Sequence, residues 1–145
     1  MKTIILAIAA ISSNLGVELN PKQTQCLSTV IYHEARGEPI MGQVAVAHVV
    51  LNRVKSKRYP NTICKVVYQP WQFSHIERAR PDYNSDAWKQ AVKIATHTQA
   101  GLVEDETNGA TMYYSHAVMN EPPKWDFSKL SYVGKLQGHS FYSEI

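Results

Sequence analysis

The sequence of 145 residues predicts an α+β domain that is mostly helical, with a small antiparallel β-sheet in its C-terminal half. Three observations support this fold class. Helical stripes of apolar residues dominate up to about residue 100, aromatic-rich segments with strand character follow Asn108-Gly109, and no repeat or linker divides the chain. Helices that precede a block of strands are typical of α+β domains.

Three helices are expected before residue 101. The first begins at Asn20-Pro21, where Asn is a favoured cap and Pro fits the first turn, and it ends before Gly37 and Pro39. The second runs from about Met41 to Lys57 and is apolar on more than one face, which predicts a central buried helix. The third spans Asp86 to Ala100, with alanines and a tryptophan available for packing.

The remaining segments are shorter. Ile63 to Tyr68 is apolar and is either helical or extended, whereas Pro70 to Asn84 has no clear period and is predicted to be a loop. Strands are predicted at Ala110 to Ser115 and at Gly138 to Tyr142, with Tyr132-Val133 as a candidate strand between them.

The N-terminus permits two interpretations. Met1-Lys2 precedes an apolar run from Ile4 to Ile11, which is typical of a secretory signal and equally of a buried N-terminal helix. The run is too short for the roughly 20 residues of a membrane-spanning helix. We therefore divide the chain into residues 1–19, a helix or signal-like segment, and residues 20–145, the main domain.

The net charge of the chain limits the classes of partner that it is expected to bind. The formal net charge of +3 favours an anionic partner, but the densest basic cluster, Lys55, Lys57 and Arg58, is too sparse for a nucleic-acid tract.

The two cysteines, Cys26 and Cys64, could form one disulfide bridge or remain two buried thiols, and their spacing alone does not decide between these states.

The densest chemical segment is Tyr32 to Glu38, which begins in the last turn of a helix. A carboxylate there meets the negative end of the helix dipole, and apolar neighbours would add desolvation, so both disfavour ionisation of Glu34. Arg36 would act in the opposite sense if it pointed at Glu34. Glu34 is thus a candidate general acid for protonating a glycosidic oxygen. The alternative is a surface glutamate beside a helix end, which residue chemistry alone favours.

Metal and cysteine chemistry are less well supported. His33-Glu34 begins like a zinc-protease helix motif, but Gly37 stands where the second histidine is required. The other histidines are scattered without a close ligand pair, and neither cysteine lies in a nucleophile elbow. We expect no metal and no cofactor.

A series of short motifs covers most of the chain, from Cys26 to Tyr142. In order they are Cys26-Leu27, Tyr32-His33-Glu34-Ala35-Arg36-Gly37-Glu38-Pro39, Gly42-Gln43-Val44-Ala45-Val46-Ala47, Val50-Leu51-Asn52-Arg53-Val54, Tyr59-Pro60-Asn61-Thr62-Ile63-Cys64, Val67-Tyr68-Gln69, Gln72-Phe73-Ser74, Gly109-Ala110-Thr111 with Tyr113, Pro123 with Trp125, and Gly138-His139 with Phe141-Tyr142. Together they resemble the cell wall hydrolase family of spore cortex-lytic enzymes and their non-spore relatives.

The resemblance implies a lysozyme-like fold, related to goose-type lysozymes and lytic transglycosylases, that acts on the bond between N-acetylmuramic acid and N-acetylglucosamine in peptidoglycan. It assigns the catalytic role to Glu34, which would first donate and then accept a proton without metal or cofactor. Glu38 is expected to brace the turn through an ion pair. Many relatives carry further cysteines near the Gln-Phe-Ser block, and their absence here leaves Cys26 and Cys64 as the one intrachain pair, which we expect to lie close together.

Groove residues follow from the same motifs. Gln72 and Ser74 offer hydrogen bonds to acetamido and hydroxyl groups, and Tyr113 and Trp125 are candidates for stacking on sugar rings. Asn52 and Arg53, which are polar in an otherwise apolar helix, are expected to be buried partners that brace the catalytic helix.

The predicted function is therefore a peptidoglycan lytic transglycosylase or muramidase, as compact as a phage-type endolysin. The alternatives are an N-acetylmuramoyl-L-alanine amidase, which would need a metal or nucleophile, and a catalytically inactive wall-binding protein. The expected partner is the peptidoglycan glycan strand, with no nucleic acid and no stable membrane span, and the chain is expected to be a monomer. It would act in the periplasm or cell wall, by an export route that the sequence leaves open.

Overall fold

The computed structural model of the chain describes residues 19–70, 72–73, 76 and 80–145. Within these residues helices precede strands, so the predicted α+β order is confirmed. The elements in chain order are α1 (Pro21–Ala35), α2 (Ile40–Lys55), α3 (Ile63–Val67), α4 (Asp86–Gln99), β1 (Met112–Ser115), β2 (Leu130–Leu136) and β3 (His139–Glu144). Residues 1–18, on which the two interpretations of the N-terminus depend, lie outside the described residues.

Helix α1 begins and ends where the sequence predicts. The side chain of Asn20 accepts hydrogen bonds from the backbone N–H groups of Lys22 and Gln23, at 3.0 and 3.3 Å, which satisfies two of the donors left open at the helix start. At the other end Gly37 adopts a positive φ of 85°, a conformation that costs glycine little. The chain therefore turns directly after the Glu34 segment.

The core lies between the helices. Helix α2 is central, because every residue from Gly42 to Val50 is buried, as its apolar pattern predicts. It ends at Lys55 rather than at Lys57, because Ser56 is already extended and donates its N–H to the carbonyl of Arg53. Helices α1 and α4 pack against each other and against α2.

A disulfide joins α1 to α3. Cys26 and Cys64 are bonded, with their Cα atoms 5.2 Å apart, so the expected proximity of the two residues is confirmed. The segment that the sequence left as helical or extended is the short helix α3. Thr62 caps it by accepting a hydrogen bond from the N–H of Lys65.

The sheet is antiparallel with strand order β1-β3-β2, so β1 is an edge strand. Strand β2 is longer than the predicted Tyr132-Val133, because a turn at Gln137-Gly138, with φ of 50° and 80°, lets it pair with β3 over most of its length. Phe141 of β3 is buried against Ala45, Val49 and Ala110, which attaches the sheet to α2. No helix among the described residues is both long and apolar enough to cross a membrane.

Candidate active site

A groove of about 930 Å³ runs between the helices and the edge strand β1. Its lining includes four of the five side chains that the sequence predicts to act on substrate: Glu34, Gln72, Tyr113 and Trp125. The fifth, Ser74, lies outside the described residues. The groove is therefore built from segments that are far apart in the sequence and that only the fold brings together.

Glu34 lies in the last turn of α1 and is half-buried. The helix stops two residues later because Arg36 is extended, and its N–H still donates to the carbonyl of Tyr32 at 3.3 Å. The Arg36 guanidinium lies 4.5 Å from the centroid of the Tyr32 ring, a cation–π contact that holds this cation on the helix flank. The carboxyl group is thus presented to the groove by a rigid helix end.

Arg53 forms the inner wall of the groove. Its side chain is buried, with its Nε donating to the carbonyl of Thr111 at 2.7 Å and one Nη donating to Oε1 of Gln72 at 3.2 Å. Burial lowers the pKa of Arg53, whereas nearby groups that carry or acquire negative charge, including Tyr59 and Glu34, raise it. The guanidinium remains a cation near neutral pH, since the pKa of arginine lies far above that range.

Arg53 and Asn52 both contact the segment that leads into β1. Asn52 donates to Asp105 at 2.8 Å and to the carbonyl of Ala110 at 3.0 Å. Both residues of α2 therefore hold the chain that leads into β1. Arg53 also interacts electrostatically with Glu34, so the expectation that these two residues brace the catalytic helix stays a prediction.

Tyr113 packs between the sheet and the groove. Its ring lies edge-on to that of His139, with centroids 5.3 Å apart, and tilted against Phe141 at 5.7 Å. Burial is the main cause that raises the pKa of the Tyr113 phenol, and the negative charge of Glu34 raises it further. The phenol is therefore neutral, and it lines the same groove as Glu34.

Glu38 also lines the groove, although sequence reasoning did not require its side chain to face the same cleft. Its Oε1 lies 3.2 Å from Nδ1 of His139, and the same nitrogen lies 3.2 Å from the carbonyl of Gln137. Burial raises the pKa of Glu38, and the charge of His139 opposes that rise. The expected ion pair that braces the turn is thus present when His139 is protonated, with its partner on β3.

The histidines described by the structure contact mainly backbone or hydroxyl oxygens. His48 lies 3.0 Å from the carbonyl of Val103, His97 lies 2.7 Å from that of Lys93, and His116 lies 2.9 Å from the hydroxyl of Ser140. Among residues 19–70, 72–73, 76 and 80–145, no three side chains of His, Cys, Asp or Glu converge as metal ligands would.

Sequence reasoning missed the part that His139 plays at the groove and the identity of the partners of Arg53. His139 stands in a motif that resembles the cell wall hydrolases, but residue chemistry alone gave it no role as the partner of Glu38. Arg53 was expected to be buried because it is polar in an otherwise apolar helix, and such a charge needs partners that the fold supplies.

Residues 37–142 match the family model described as Cell Wall Hydrolase, which covers most of the chain. The chain belongs to the cell wall hydrolase family. Among the curated relatives of this family member, the spore cortex-lytic enzyme of Oceanobacillus iheyensis is 40% identical over 86% of this chain. That of Halalkalibacterium halodurans is 30% identical, also over 86% of this chain.

The match to these relatives is partial on their side. The chain spans 44% and 36% of their respective lengths, so it spans less than half of either. Solved structures of catalytic domains match over nearly their whole length. That of the germination-specific lytic transglycosylase SleB from Bacillus anthracis is 30% identical with a TM-score of 0.67, covering 85% of this chain and 95% of that one. That of the Bacillus cereus SleB protein has a TM-score of 0.64 at 30% identity, covering 86% and 91%. The expected lysozyme-like α+β fold is confirmed.

Proposed function

We propose that this chain cleaves the glycan strands of peptidoglycan between N-acetylmuramic acid and N-acetylglucosamine as a lytic transglycosylase, with Glu34 as its catalytic residue. The observation that carries the proposal is the position of Glu34, which is half-buried at a helix end inside the groove. The likeness to the catalytic domain of a lytic transglycosylase over 85% of the chain supports the same reaction.

In the proposed reaction one carboxyl group acts twice. The protonated Glu34 donates its proton to the glycosidic oxygen, and the bond from that oxygen to the anomeric carbon of the muramyl residue breaks. The 6-hydroxyl of the same muramyl residue then bonds to the anomeric carbon and returns its proton to Glu34. No water is consumed, and one product carries a 1,6-anhydro end while the other carries a free hydroxyl group.

The surroundings of Glu34 fit both steps. The positive charge of Arg53 stabilises the carboxylate that remains after the first proton transfer, which is consistent with the effect of Glu34 on the pKa of Arg53. Burial, and after it the charge of Glu34, raises the pKa of Tyr113 and keeps its phenol neutral. This phenol can donate a hydrogen bond to the same carboxylate. We assign both the task of holding Glu34 in its ionised state between the two steps.

Gln72, Ser74 and Trp125 are assigned to substrate binding. The Oε1 of Gln72 accepts from Arg53, which orients its amide nitrogen as a donor for an acetamido or hydroxyl oxygen. Trp125 lines the groove opposite the helices and offers a ring to a sugar. Ser74 is retained from the sequence motif alone. We infer that the chain works as a monomer in the periplasm or cell wall.

Hydrolysis by a muramidase is the second candidate, because Glu38 supplies another carboxyl group in the groove. Inverting glycosidases use a second carboxylate to activate water. In this chain, however, Oε1 of Glu38 lies 3.2 Å from Nδ1 of His139. A carboxyl group that is engaged in this way is a poor base for water, so we favour transglycosylation.

Mass spectrometry of digested sacculi tests the proposal. We expect muropeptides that end in 1,6-anhydro-muramic acid, whereas a muramidase would release reducing ends and an amidase would release free stem peptides. Reducing ends as the main product would replace transglycosylation by hydrolysis, and free stem peptides would overturn the glycosidase assignment.

A chelator separates the amidase alternative by a second route. Proton transfer by a carboxyl group needs no metal, whereas a zinc amidase depends on metal-activated water. We expect EDTA to leave the release of anhydro-muropeptides unchanged, with a zinc amidase treated in parallel as the positive control. Complete inactivation that added zinc reverses would direct attention to His33, His116 and His139 as ligands.

A further inference from the structure

Five aromatic side chains form one continuous surface on the sheet and the chain beside it. We call this surface, made of Tyr114, Trp125, Phe127, Tyr132 and Tyr142, the aromatic face. Tyr142 is its centre, with ring centroids 5.3 Å from Phe127, 5.4 Å from Tyr132, 6.1 Å from Tyr114 and 6.2 Å from Trp125. The rings therefore form a connected set rather than isolated surface residues.

The register of the strands explains why these rings share one side of the sheet. Tyr132 and Tyr142 are directly opposite each other on β2 and β3, so their side chains lie on the same face. Phe141, the next residue along β3, points to the other face and is buried. Because side chains alternate along a strand, one face of the sheet packs on the core and the other, which carries the tyrosines of the aromatic face, points away from it.

The aromatic face is continuous with the groove. Tyr114 and Trp125 line the groove that contains Glu34, and their centroids are 5.9 Å apart. From Trp125 the surface continues to Phe127 at 6.0 Å, and from Tyr142 to Tyr132. The far end is open to solvent, since Phe127 is 36% exposed and Tyr132 is 53% exposed.

We propose that the aromatic face is an extended glycan subsite, which binds sugars of the same strand beyond those held in the groove. The apolar C–H faces of a pyranose ring fit the electron-rich face of an aromatic ring, and the phenol groups of tyrosine add hydrogen bonds for sugar hydroxyls. The rings of Tyr142 and Tyr114 are stacked at an interplanar angle of 16°, so the surface is continuous at its groove end. The inference rests on the proposed function, because it assumes a glycan strand in the groove.

Binding of a second copy of the chain explains the surface less well. A stable interface buries about 800 Å² on each partner, whereas a fully exposed aromatic side chain offers about 150–250 Å². Of the five rings, only those of Phe127 and Tyr132 are exposed, and both retain contacts with Tyr142. The accessible area of the aromatic face therefore suits a narrow polymer better than a protein surface.

The test compares long and short substrates. Phe127 and Tyr132 lie outside the groove lining, so we replace them together in F127A/Y132A, with L102A as the control for loss of an exposed apolar side chain elsewhere. Binding to glycan strands freed of stem peptides is measured in an E34Q background, and cleavage of long strands and of a tetrasaccharide is measured with Glu34 intact. Thermal unfolding confirms that each variant is folded.

We expect F127A/Y132A to bind long strands about tenfold more weakly and to raise their KM without changing kcat, as loss of ring stacking would. Cleavage of the tetrasaccharide should be unchanged, and Y132F, which keeps the ring, should bind nearly as the parent does. If F127A/Y132A bound long strands as tightly as L102A does, the subsite would be wrong. It would also be wrong if the wild type sedimented as a dimer and F127A/Y132A as a monomer.

The subsite and the proposed function fail separately. If the protein with Glu34 intact releases no muropeptides but strand binding still depends on Phe127 and Tyr132, the catalytic assignment is wrong and the glycan surface stands. If it releases muropeptides and binding ignores both rings, the activity stands and the subsite is wrong.

Discussion

The helical part of the chain and its β-sheet bury their side chains differently. In α1 and α2 the interior is aliphatic, and Leu27, Val30, Ile31, Val49 and Val50 have no accessible surface. In the sheet only the first half of β3 is buried, whereas β1 is half-buried and β2 is partly exposed. The helices therefore supply a packed interior, and the sheet supplies rings that remain available at the surface.

This contrast assigns different work to the two walls of the groove. Glu34 extends from a helix end whose position is set by a rigid core, which suits a group that must hold its geometry during proton transfer. Tyr114 and Trp125 come from the sheet side, where rings are less tightly enclosed. We expect changes on the helical side to alter chemistry and stability, and changes on the sheet side to alter binding.

The largest expected effect is that of Glu34→Gln. The substitution keeps the shape of the side chain but removes the transferable proton, so activity on peptidoglycan should fall by roughly 10²–10⁴-fold while the unfolding temperature stays the same. Glu38→Gln should reduce the rate less and the stability more. Glu121→Gln, at an exposed position, is the matched control. Activity within a few-fold of wild type would remove Glu34 from the mechanism.

Opening the disulfide should be the next largest effect, and it should act on stability rather than chemistry. The bridge spans 38 residues, so replacing Cys26 and Cys64 by serine should lower the free energy of unfolding by about 2–4 kcal/mol. Cys26 is eight residues from Glu34, or about 12 Å along the helix, so activity at low temperature should persist. Reductant should destabilise the wild type and leave the serine variant unchanged. Two free thiols in protein purified from an oxidising compartment would contradict the bridge.

Arg53→Met tests the connection between the two parts. The substitution removes the hydrogen bonds to Thr111 and Gln72. The carbonyl of Thr111, near the start of β1, then lacks its charged donor. Hydrogen bonds to charged groups contribute about 1.5–3 kcal/mol each, so denaturant unfolding should show a loss of at least that size. Lys55→Met, at an exposed site on the same helix, should change stability by less than about 0.5 kcal/mol. Equal effects of the two variants would show that Arg53 is not a brace.

The smallest expected effect is a pH dependence at the segment that precedes β1. Burial alone would raise the pKa of Asp105, but hydrogen bonds from Thr107, Asn52 and Gly109 outweigh it and hold that pKa below its ordinary value. Because the folded pKa is lowered, this stabilisation is present above the unfolded value of about 3.9 and is lost as the pH falls through the folded pKa. Asp105→Asn should therefore be less stable than wild type at pH 7, by a margin that narrows below about pH 4.

The neighbouring Glu106→Gln is the control for this pH dependence, since Glu106 is exposed. Its unfolding curve should follow that of the wild type at every pH. An Asp105→Asn variant whose deficit did not depend on pH would show that the contacts stabilise by shape and not by charge.

Local patterns in the sequence determined most of the elements. The Asn20-Pro21 start of α1, the buried character of α2 and the strands β1 and β3 follow from caps, hydrophobic periodicity and side-chain type, which act between residues a few positions apart. The same kind of reasoning made Glu34 a candidate acid, because a carboxyl group in the last turn of an apolar helix is a local feature, but the resemblance to the cell wall hydrolases was needed to prefer this role over that of a surface glutamate. The length of β2 could not be read in this way, since pairing with β3 decides it.

The tertiary structure alone decided which side chains share the groove. Glu34, Gln72 and Trp125 lie on separate segments, and no spacing rule states that they face one another. Glu38 meets His139 across about a hundred residues, and Arg53 finds its acceptor at Thr111. The exposure of the aromatic face likewise depends on which side of the sheet packs against α2. The physical reason is that burial, charge pairing and strand register depend on groups that are close in space. The positions of those groups in the sequence do not show that they are close.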